Sequence, residues 1–314
     1  MDEIVEENRR ESGNGDVGWG GLPADVIADQ FANFPSLRLL NRHWCDAVSS
    51  VTEKLTIRFQ TPWLKGNLQE RLKRAVSKFG NVAEVCVTDR TFGVFDLHCL
   101  TALKRIRSLD LSKTEVGDMC CELLKSFPNL STLLLVGTKV SDEGCEPIST
   151  LRNLTKLHLG GTFITNLGCI HIAKLSQLTE LSLVDTGITD EGCKRLAQLI
   201  NLKKLELNGT VVGDEACRYI AGLSNLEELD LFKTGVRNEG CRSLCGLGNL
   251  TELNLSWTGL NDEGAVELTK LTNLRELMIH GTNIVDEGWV ENELCNNMEN
   301  LYILVTSVLV VNEK

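Results

Sequence analysis

Cysteine is the residue type in this sequence that could most readily support chemistry. The chain has 12 cysteines among 314 residues, and a thiol can act as a metal ligand, a nucleophile or a disulfide partner. The Cys-x-x-Cys spacing of many zinc and redox sites does not occur in the sequence. Six cysteines instead share one regular spacing: Cys121, Cys145, Cys169, Cys193, Cys217 and Cys241. This regularity indicates a repeated structural position rather than a metal or redox centre.

Histidine stands close to a thiol twice, in His43-Trp44-Cys45 and in His98-Cys99. A nucleophile needs a base at hydrogen-bonding distance, and neither pair has a convincing partner in the sequence. Walker, GxSxG and HExxH motifs are absent from the sequence, and the GxGxxG spacing occurs only at residues 13–18, in the predicted N-terminal tail, where it does not indicate a dinucleotide-binding site. We therefore predict a protein without catalytic activity, cofactor or metal, in which these histidines and cysteines are core or loop residues.

An internal repeat accounts for the spacing of the cysteines. Segments such as KLHLGGTFITNLGC and ELSLVDTGITDEGC follow one another, and a threonine recurs every 24 residues from Thr114 to Thr306. Within a repeat, the pattern Leu-x-x-Leu-x-Leu-x-x-Thr alternates like a strand, and residues 192–199 have the three- and four-residue spacing of a helix. Each repeat is thus predicted to be a strand, a turn and a short helix, stacked into a solenoid.

The cysteines fall seven residues after each threonine, at the first helical position that faces the predicted core. We expect them to form a buried ladder of small apolar side chains. Neighbouring helices pack about 8–10 Å apart, whereas a disulfide needs Cα atoms within about 7 Å, so consecutive cysteines should remain thiols. Aspartates just ahead of the helices are predicted to cap free N–H groups at the helix start: Asp190, Asp214, Asp262 and Asp286.

Residues 82–310 resemble leucine-rich repeats of the short type, with a Thr-x-Ile-x-Asp-Glu-Gly turn. The resemblance implies an α/β fold, a right-handed solenoid of 24-residue repeats with a parallel sheet on the concave side and helices on the convex side. Many members of that family carry asparagine where this chain has the repeat threonine. We expect the threonine hydroxyl to hydrogen-bond turn backbone in its place.

Four segments are predicted along the chain. Residues 1–20 are expected to form a disordered tail, and residues 21–51 a small helical cap. Residues 52–81, with a strand at 55–59 and an amphipathic helix at 67–79, are expected to be a transitional repeat that covers the open end of the stack. Residues 82–314 are assigned to the repeat array, in which the final YILVTSVLVV is predicted to be a shortened last turn and C-terminal cap.

The segment LPADVIADQFANFPSLRLLNRHWCDAV, residues 22–48, resembles an F-box. The resemblance rests on Leu-Pro at 22–23, apolar residues at helical spacing, Phe-Pro at 34–35, the Leu-Leu-Asn-Arg run at 39–42 and Trp44. The interval from Leu22 to Trp44 is shorter than in that family, and the alternative is a helical cap that only shields the first apolar layer. An F-box implies the substrate receptor of a cullin-RING ubiquitin ligase, with contacts to a Skp1-type linker from Leu22, Pro23, Ile27, Phe31 and Leu40.

The outward residues of the strands, four and two positions before each threonine, are predicted to form a concave binding surface. Ten parallel strands about 4.8 Å apart give a length on the order of 45 Å, the scale of a protein–protein interface. Exposed aromatics with a charged rim are typical of binding hot spots, and glutamates favour a partner that carries Lys or Arg. The alternatives are a C-terminal cap for Tyr302 and a solvated stripe for the glutamates. The predicted site comprises Phe232, Trp257, Met278, His280 and Tyr302, bordered by Glu228, Glu252 and Glu276.

Composition limits the class of partner and the expected compartment. The net charge is −11 and the isoelectric point is about 5.1, which argues against binding to nucleic acid or anionic membranes. The N-terminus lacks the basic patch and apolar run of a secretory signal, and no later stretch has the length of a membrane span. We therefore expect a cytoplasmic protein, with the nucleus as a second compartment, that is monomeric outside its complex and binds a protein substrate.

The leading functional prediction combines the two resemblances. A leucine-rich-repeat array behind an F-box predicts the substrate-recruiting adaptor of an SCF-type (Skp1-cullin-F-box) ubiquitin ligase, which holds a target protein but catalyses nothing. The alternative is a leucine-rich-repeat scaffold or inhibitor-type binding protein whose N-terminal motif is only a structural cap.

Overall fold

The computed structural model describes residues 54–57, 72–73, 76–77, 80–88, 90–285, 300–305 and 308–313, and for the last two stretches it describes the backbone alone. The predicted tail at 1–20, the F-box-like segment at 21–51 and Asp286 lie outside these residues. The predicted helix at 67–79 is described only at 72–73 and 76–77, which are helical, with Leu72 and Val76 buried.

Twelve strands form one sheet and follow each other in chain order. Each of the first eleven is parallel to its neighbour, and the twelfth is antiparallel to the eleventh. The strands are β1 Lys54–Ile57, β2 Glu84–Val87, β3 Ser108–Asp110, β4 Thr132–Leu134, β5 Lys156–His158, β6 Glu180–Ser182, β7 Lys204–Glu206, β8 Glu228–Asp230, β9 Glu252–Asn254, β10 Glu276–Met278, β11 Asn300–Val305 and β12 Val308–Glu313.

A short helix follows each strand from β2 to β9, and successive helices pack against one another. Parallel strands need a crossover connection, and these helices provide it across a continuous apolar core. The predicted α/β solenoid with a parallel sheet is thus confirmed. The helices are Val94–Leu100, Asp118–Leu124, Asp142–Ile148, Asn166–Ile172, Asp190–Leu196, Asp214–Ile220, Asn238–Leu244 and Asp262–Leu268.

The strand residues alternate between core and concave surface. In β8, Leu229 is buried between Glu228 and Asp230, which are partly exposed, and most other strands show the same pattern. From β2 to β11 the pairing shifts by 24 residues at each step, so that Leu205, Leu229 and Leu253 lie side by side in the core. Every repeat therefore presents its equivalent residues to the same face.

The six regularly spaced cysteines are buried in the core, as predicted. Each is at most 2% exposed and none forms a disulfide: Cys121, Cys145, Cys169, Cys193, Cys217 and Cys241. Burial raises the pKa of the Cys169 thiol to about 12 and that of Cys145 still further. The thiolate, which is the reactive form, is therefore disfavoured at neutral pH, and these cysteines act as packing residues.

The repeat threonines donate hydrogen bonds to backbone carbonyl groups in the turn that follows the strand. The Thr186 hydroxyl donates to the Leu183 carbonyl at 2.6 Å, and Thr138 donates to Leu135 at 2.7 Å. Both threonines are buried. The predicted hydrogen bond from threonine to turn backbone is confirmed, and it removes an otherwise unmet donor from the core.

The aspartates of the Asp-Glu-Gly turns differ from the prediction. Asp190 and Asp214 are the first residues of their helices, rather than residues ahead of them. The Asp214 carboxylate accepts hydrogen bonds from the N–H groups of Arg237, at 2.7 Å, and Gly240, at 2.9 Å. Both donors belong to the start of the next helix. Because the repeats stack in register, each aspartate caps the following helix instead of its own.

Glycine is the usual residue where that cap meets the next repeat, although Ala216 occupies the equivalent position after Asp190. A Cβ atom on Gly240 would lie 2.7 Å from Asp214 Oδ1, 2.8 Å from Val236 Cγ1 and 3.0 Å from Cys217 Sγ. The same conflict recurs at Gly144, Gly168, Gly192 and Gly264. The glycine therefore leaves space for the carboxylate or amide of the preceding repeat.

A ladder of asparagine side chains, which the sequence analysis did not identify, joins the repeats at the turns between each helix and the next strand. The side-chain amide of Asn225 donates to the Ile200 carbonyl at 2.8 Å, and that of Asn249 donates to Ser224 at 2.9 Å. The signal was present in the sequence, because an asparagine recurs at this position: Asn129, Asn153, Asn201, Asn225, Asn249 and Asn273.

The two ends of the sheet refine the predicted caps. The strand predicted at 55–59 is observed as β1, which pairs with β2 in parallel. At the C-terminus, β11 continues the parallel register of the array, as the strand of a shortened last turn would, and β12 pairs with it in the antiparallel direction. The continuous apolar runs Ile303–Val305 and Val308–Val311 are rich in β-branched residues, which suits two paired strands.

Candidate protein-binding surface

Two halves of the concave sheet differ in charge. The first and third residues of β3 to β6 carry two carboxylates and one ammonium group, whereas those of β7 to β10 carry five carboxylates and one ammonium group. We call the second set, with the residues that follow the same strands, the C-terminal concave surface. Its five carboxylates belong to Glu206, Glu228, Asp230, Glu252 and Glu276, and its ammonium group to Lys204.

Lys204 neutralises only one end of this surface. Its Nζ lies 2.7 Å from Glu228 Oε2 on the neighbouring strand and 3.3 Å from Glu206 Oε1. The hydrogen bond with Glu228 raises the pKa of Lys204 well above its usual value, although burial acts in the opposite direction. Beyond Glu228, the strand register places Glu252 and Glu276 directly next in line.

Negative charge accumulates at the centre of the surface. Burial raises the pKa of Glu252, and the neighbouring Glu228 and Glu276 carboxylates raise it further. Burial also raises the pKa of Asp230, with a contribution from Glu206, although the Asp230 carboxylate accepts a hydrogen bond from the Phe232 N–H at 2.8 Å. Glu252 has no ion-pair partner among the described residues. The surface therefore carries carboxylates that repel one another and would be stabilised by a cation.

Trp257 lies at the edge of this surface, in a different place from the predicted one. The sequence analysis assigned it to the strands, but β9 ends at Asn254 and Trp257 occupies the following turn. Its φ of 58° is in the left-handed region, where equivalent turn residues Gly209 and Gly281 are glycines. A bulky residue in this region costs about 1–2 kcal/mol.

The indole of Trp257 is exposed despite that cost. The side chain is 64% exposed. One edge of the ring lies against the backbone of the next repeat, since a Cβ atom on Gly281 would be 2.9 Å from Trp257 Cδ2. The backbone N–H of Trp257 donates to the His280 carbonyl at 2.6 Å, which fixes the turn from which the indole projects. A fixed, largely exposed indole is the kind of side chain that anchors a binding partner.

The remaining predicted residues lie between the glutamates and Trp257. Met278 is the third residue of β10, and Phe232 and His280 are the second residues after β8 and β10. All three are partly buried. The backbone of Tyr302 pairs with that of Met278, and the Tyr302 side chain lies outside the described atoms. The surface thus runs from the glutamates at one edge to Trp257 at the other.

An exposed apolar cluster on the helix side escaped the sequence analysis. Phe163, Leu167 and Ile170 are 69%, 64% and 43% exposed. The equivalents of Leu167 in the adjacent repeats are Glu143 and Glu191. The signal was visible in TFITNLGCI, where Asn-Leu replaces the Asp-Glu of the neighbouring repeats.

His98 and Cys99, which stand next to each other in the sequence, have different environments. His98 is exposed, whereas Cys99 is buried and its thiol donates to the Phe95 carbonyl at 3.4 Å. The described residues contain no group of three or more His, Cys, Asp or Glu side chains that could hold a metal ion. They also contain no helix that is both long and apolar enough to cross a membrane.

Comparison with known proteins identifies the repeats. The family described as "Leucine Rich repeat" matches residues 175–197, 222–245 and 249–268. No curated protein matches the sequence.

Solved structures resemble about three quarters of the chain. An internalin (inlF) from Listeria monocytogenes str. 4b F2365 is 20% identical with a TM-score of 0.60, over 72% of this chain and 62% of the internalin. Internalin C2 (inlC2) from the same strain is 22% identical with a TM-score of 0.51, over 76% of this chain and 92% of that protein.

A plant receptor shares the same architecture. The leucine-rich-repeat ectodomain of the Arabidopsis receptor kinase HAESA, solved with an IDA peptide hormone, is 16% identical with a TM-score of 0.53, over 73% of this chain and 43% of the receptor chain. This chain therefore spans less than two thirds of the inlF internalin and less than half of the HAESA chain. Together with the 24-residue register of the sheet, these findings show that the chain contains leucine-rich repeats and folds as a leucine-rich-repeat solenoid.

Proposed function

We propose that this protein is a non-catalytic recognition module that binds a partner protein on its C-terminal concave surface. The observation that carries the proposal is Trp257, a largely exposed indole held at positive φ in a turn where glycine is otherwise common. Backbone strain does not favour this choice, because glycine would fit the turn without strain. A binding role accounts for the indole, and strained residues of this kind cluster at ligand sites.

The surroundings of Trp257 support the same role. Phe232, Met278 and His280 are partly buried on the sheet beside it, and carboxylates line the opposite edge. Interface hot spots combine a fixed aromatic anchor with a polar rim in this way. The HAESA structure supplies an example of a solenoid of this fold that holds a peptide, although fold alone does not determine the ligand.

The finer proposal is that the module recruits substrates to an SCF-type ubiquitin ligase. It is supported by the F-box-like segment at 22–48, in which Leu22, Pro23, Ile27, Phe31 and Leu40 would contact a Skp1-type linker. The second candidate, a scaffold or inhibitor-type binding protein, is supported by the shortened interval between Leu22 and Trp44. Both candidates share the concave site, and the adaptor would act in the cytoplasm or nucleus.

Binding to purified Skp1-type linker separates these two candidates. The full chain, a version that begins at residue 51 and the full-length variant Phe31→Asp would each be passed over immobilised linker. An adaptor is expected to be retained, with retention lost in the truncated version and lowered at least about tenfold by Phe31→Asp. Phe95→Asp is the matched control, because Phe95 is 73% exposed in the array. Failure of the full chain to bind would overturn the adaptor and leave the scaffold.

The concave site is tested by capture of partners from a cell extract. Proteins retained by the full chain would be compared, by quantitative mass spectrometry, with those retained by Trp257→Gly and Phe232→Ala. We expect the specific partners to be depleted for both variants. Lys113→Gly is the control, because Lys113 occupies the same left-handed turn position, with φ of 60°, at the other end of the array. An unchanged set of partners would contradict the assignment of the site.

A further inference from the structure

We infer that the C-terminal concave surface binds an extended segment of its partner that carries a Lys or Arg side chain for Glu252 and a large apolar side chain for Trp257. The inference rests on the proposed function and specifies its ligand. The segment would lie along β9, from the glutamate edge of the sheet to the turn.

The row of first strand residues shows where a positive charge is lacking. From β5 to β8 the row alternates in charge, with 2.7 Å between Lys156 and Glu180 and 2.7 Å between Lys204 and Glu228. At β9 the alternation stops, and Glu252 lies between two other glutamates. A cationic side chain from a partner would continue the alternation and relieve the repulsion at Glu252.

The other edge of the surface offers an apolar anchor. The Trp257 ring is held on one side by the backbone at Gly281 and is otherwise open to solvent. A large apolar side chain packed against the indole would remove this exposed area from water. The ligand thus meets a carboxylate at the start of β9 and an apolar indole in the turn after its end.

The floor between the two anchors is low and its polar groups are engaged. Asn254, the last residue of β9, is partly buried, and Ser256, in the turn that follows, is only 3% exposed; both side chains are short. Asn254 Oδ1 accepts from the Ser256 N–H at 3.0 Å, and Ser256 Oγ accepts from the His280 N–H at 3.1 Å. In the proposed complex these residues would form the bottom of a trough, and they do not require a polar ligand of their own.

Larger side chains stand on both sides of this trough. Phe232 on the β8 side and His280 on the β10 side are separated by two strand spacings, or about 9.6 Å, which is wide enough for one extended chain. Glu252 and Trp257 are five residues apart, and because the chain turns after Asn254, their separation is at most about 16 Å at about 3.3 Å per residue. The basic and apolar residues of the ligand should therefore be separated by about three to five residues.

Selection from a displayed library of random decapeptides provides the test. The full chain is immobilised, bound peptides are enriched over several rounds, and the affinity of the best peptides is measured by fluorescence anisotropy. We expect enriched peptides to carry Lys or Arg about three to five residues from Trp, Phe, Leu or Met. Their affinity should fall about tenfold when salt rises from about 50 to about 300 mM, since the charges at the site are accessible to salt.

Matched variants assign each anchor. Glu252→Lys is expected to weaken the peptides at least about tenfold. Glu84→Lys, in the same row at the far end of the sheet, should leave affinity within about twofold, because Glu84 lies on β2, seven strands from β9, and its contact with Lys54 at 3.6 Å is exposed. Trp257→Gly should weaken the peptides at least about tenfold, and Lys113→Gly should not.

Failures of the inference and of the proposed function are distinguishable. Enriched peptides that are acidic, or that bind Glu252→Lys unchanged while losing affinity for Trp257→Gly, would overturn the basic ligand but keep the concave site. Peptides insensitive to both changes would overturn the site as well. Absence of any enriched peptide would overturn the extended-segment ligand, and partner capture would then decide the proposed function alone.

Discussion

The helix side and the concave side of this solenoid differ in how strictly residue types are kept from one 24-residue repeat to the next. On the helix side, an aspartate or asparagine cap, a tight glycine and a buried cysteine recur in most described repeats. On the concave side, the residue two positions after the strand changes at almost every step. It passes through Val184, Asn208, Phe232, Ser256 and His280.

The difference follows from what each position touches. A helix-side residue contacts the next repeat, so a change there disturbs two repeats at once, and stability in such arrays depends on these interfaces. A concave residue meets solvent on one face, so its side chain can change at little cost to the fold. The comparison teaches that the conserved chemistry of the repeat maintains the stack, whereas the varied chemistry is available for recognition. The predictions below test this division, from the largest expected effect on stability to the smallest.

Gly192→Ala should be the most damaging of these changes. The added Cβ would lie 2.7 Å from both Asn166 Oδ1 and Ile188 Cγ2, so the two repeats must move apart. We expect the free energy of unfolding to fall by about 3 kcal/mol in urea titrations followed by circular dichroism. Gly246→Ala is the control, because no atom lies within 4 Å of its Cβ position. Equal effects of the two changes would contradict the role of glycine at this contact between repeats.

Asp214→Ala should show that each cap serves the next helix. The change removes the acceptor of the Arg237 and Gly240 N–H groups and is expected to cost about 1–2 kcal/mol. Asp214→Asn should cost less than about 0.5 kcal/mol, because asparagine fills the same role at position 166, where it accepts from the Thr189 N–H at 3.0 Å. Hydrogen exchange would locate the loss. Faster exchange confined to the Asp214 helix itself, with the following helix unchanged, would refute the cap between repeats.

Cys193→Ser should cost about 1 kcal/mol, because it places a hydroxyl where a thiol is only 2% exposed. The matched change is Cys245→Ser. Cys245 is partly buried, and its thiol already donates to the Cys241 and Glu267 carbonyls at 3.2 and 3.1 Å, so a hydroxyl would keep both acceptors. Thermal unfolding should show a lower midpoint for the first variant only. A neutral Cys193→Ser would undermine the apolar role of the ladder.

The fold was predictable from the sequence because one period sets every element. The 24-residue spacing from Thr114 onward fixes the strand register, and the position of each cysteine relative to its threonine fixes the buried face of the helix. Once the period is known, neighbouring repeats must align, so the parallel sheet follows.

Contacts between repeats were less accessible to sequence reasoning. Asp214 reads as a cap for its own helix when its repeat is considered alone, and only the stacked geometry shows that its acceptors face Arg237 and Gly240 of the next repeat. Trp257 was misplaced for a related reason. The leucine alternation extends to Leu255, two residues before it, but the hydrogen-bonded strand ends at Asn254 and the chain then enters a left-handed turn.

Glu252→Gln and Glu180→Gln compare the two halves of the concave surface at one strand position, with opposite expected signs. Burial raises the pKa of Glu252 and so do Glu228 and Glu276, against a smaller effect of Lys204. For Glu180, burial also acts to raise the pKa, but hydrogen bonds with Lys156 and His158 outweigh it, and the pKa is lowered overall. At pH 7 we therefore expect Glu252→Gln to stabilise the protein and Glu180→Gln to destabilise it, each by about 0.5 kcal/mol.

The two effects should depend on pH in different ways. Because the folded-state pKa of Glu252 lies above its unfolded value, the penalty of its charge is present at neutral pH and vanishes below the unfolded pKa. Because the folded-state pKa of Glu180 lies below its unfolded value, its stabilising contribution is lost as the pH falls through the folded pKa. Urea titrations of both variants between about pH 3 and pH 7 should thus converge on the parent at low pH from opposite directions. Shifts of the same sign would mean that the two halves do not differ in charge balance, and the C-terminal half would lose its electrostatic claim to a basic ligand.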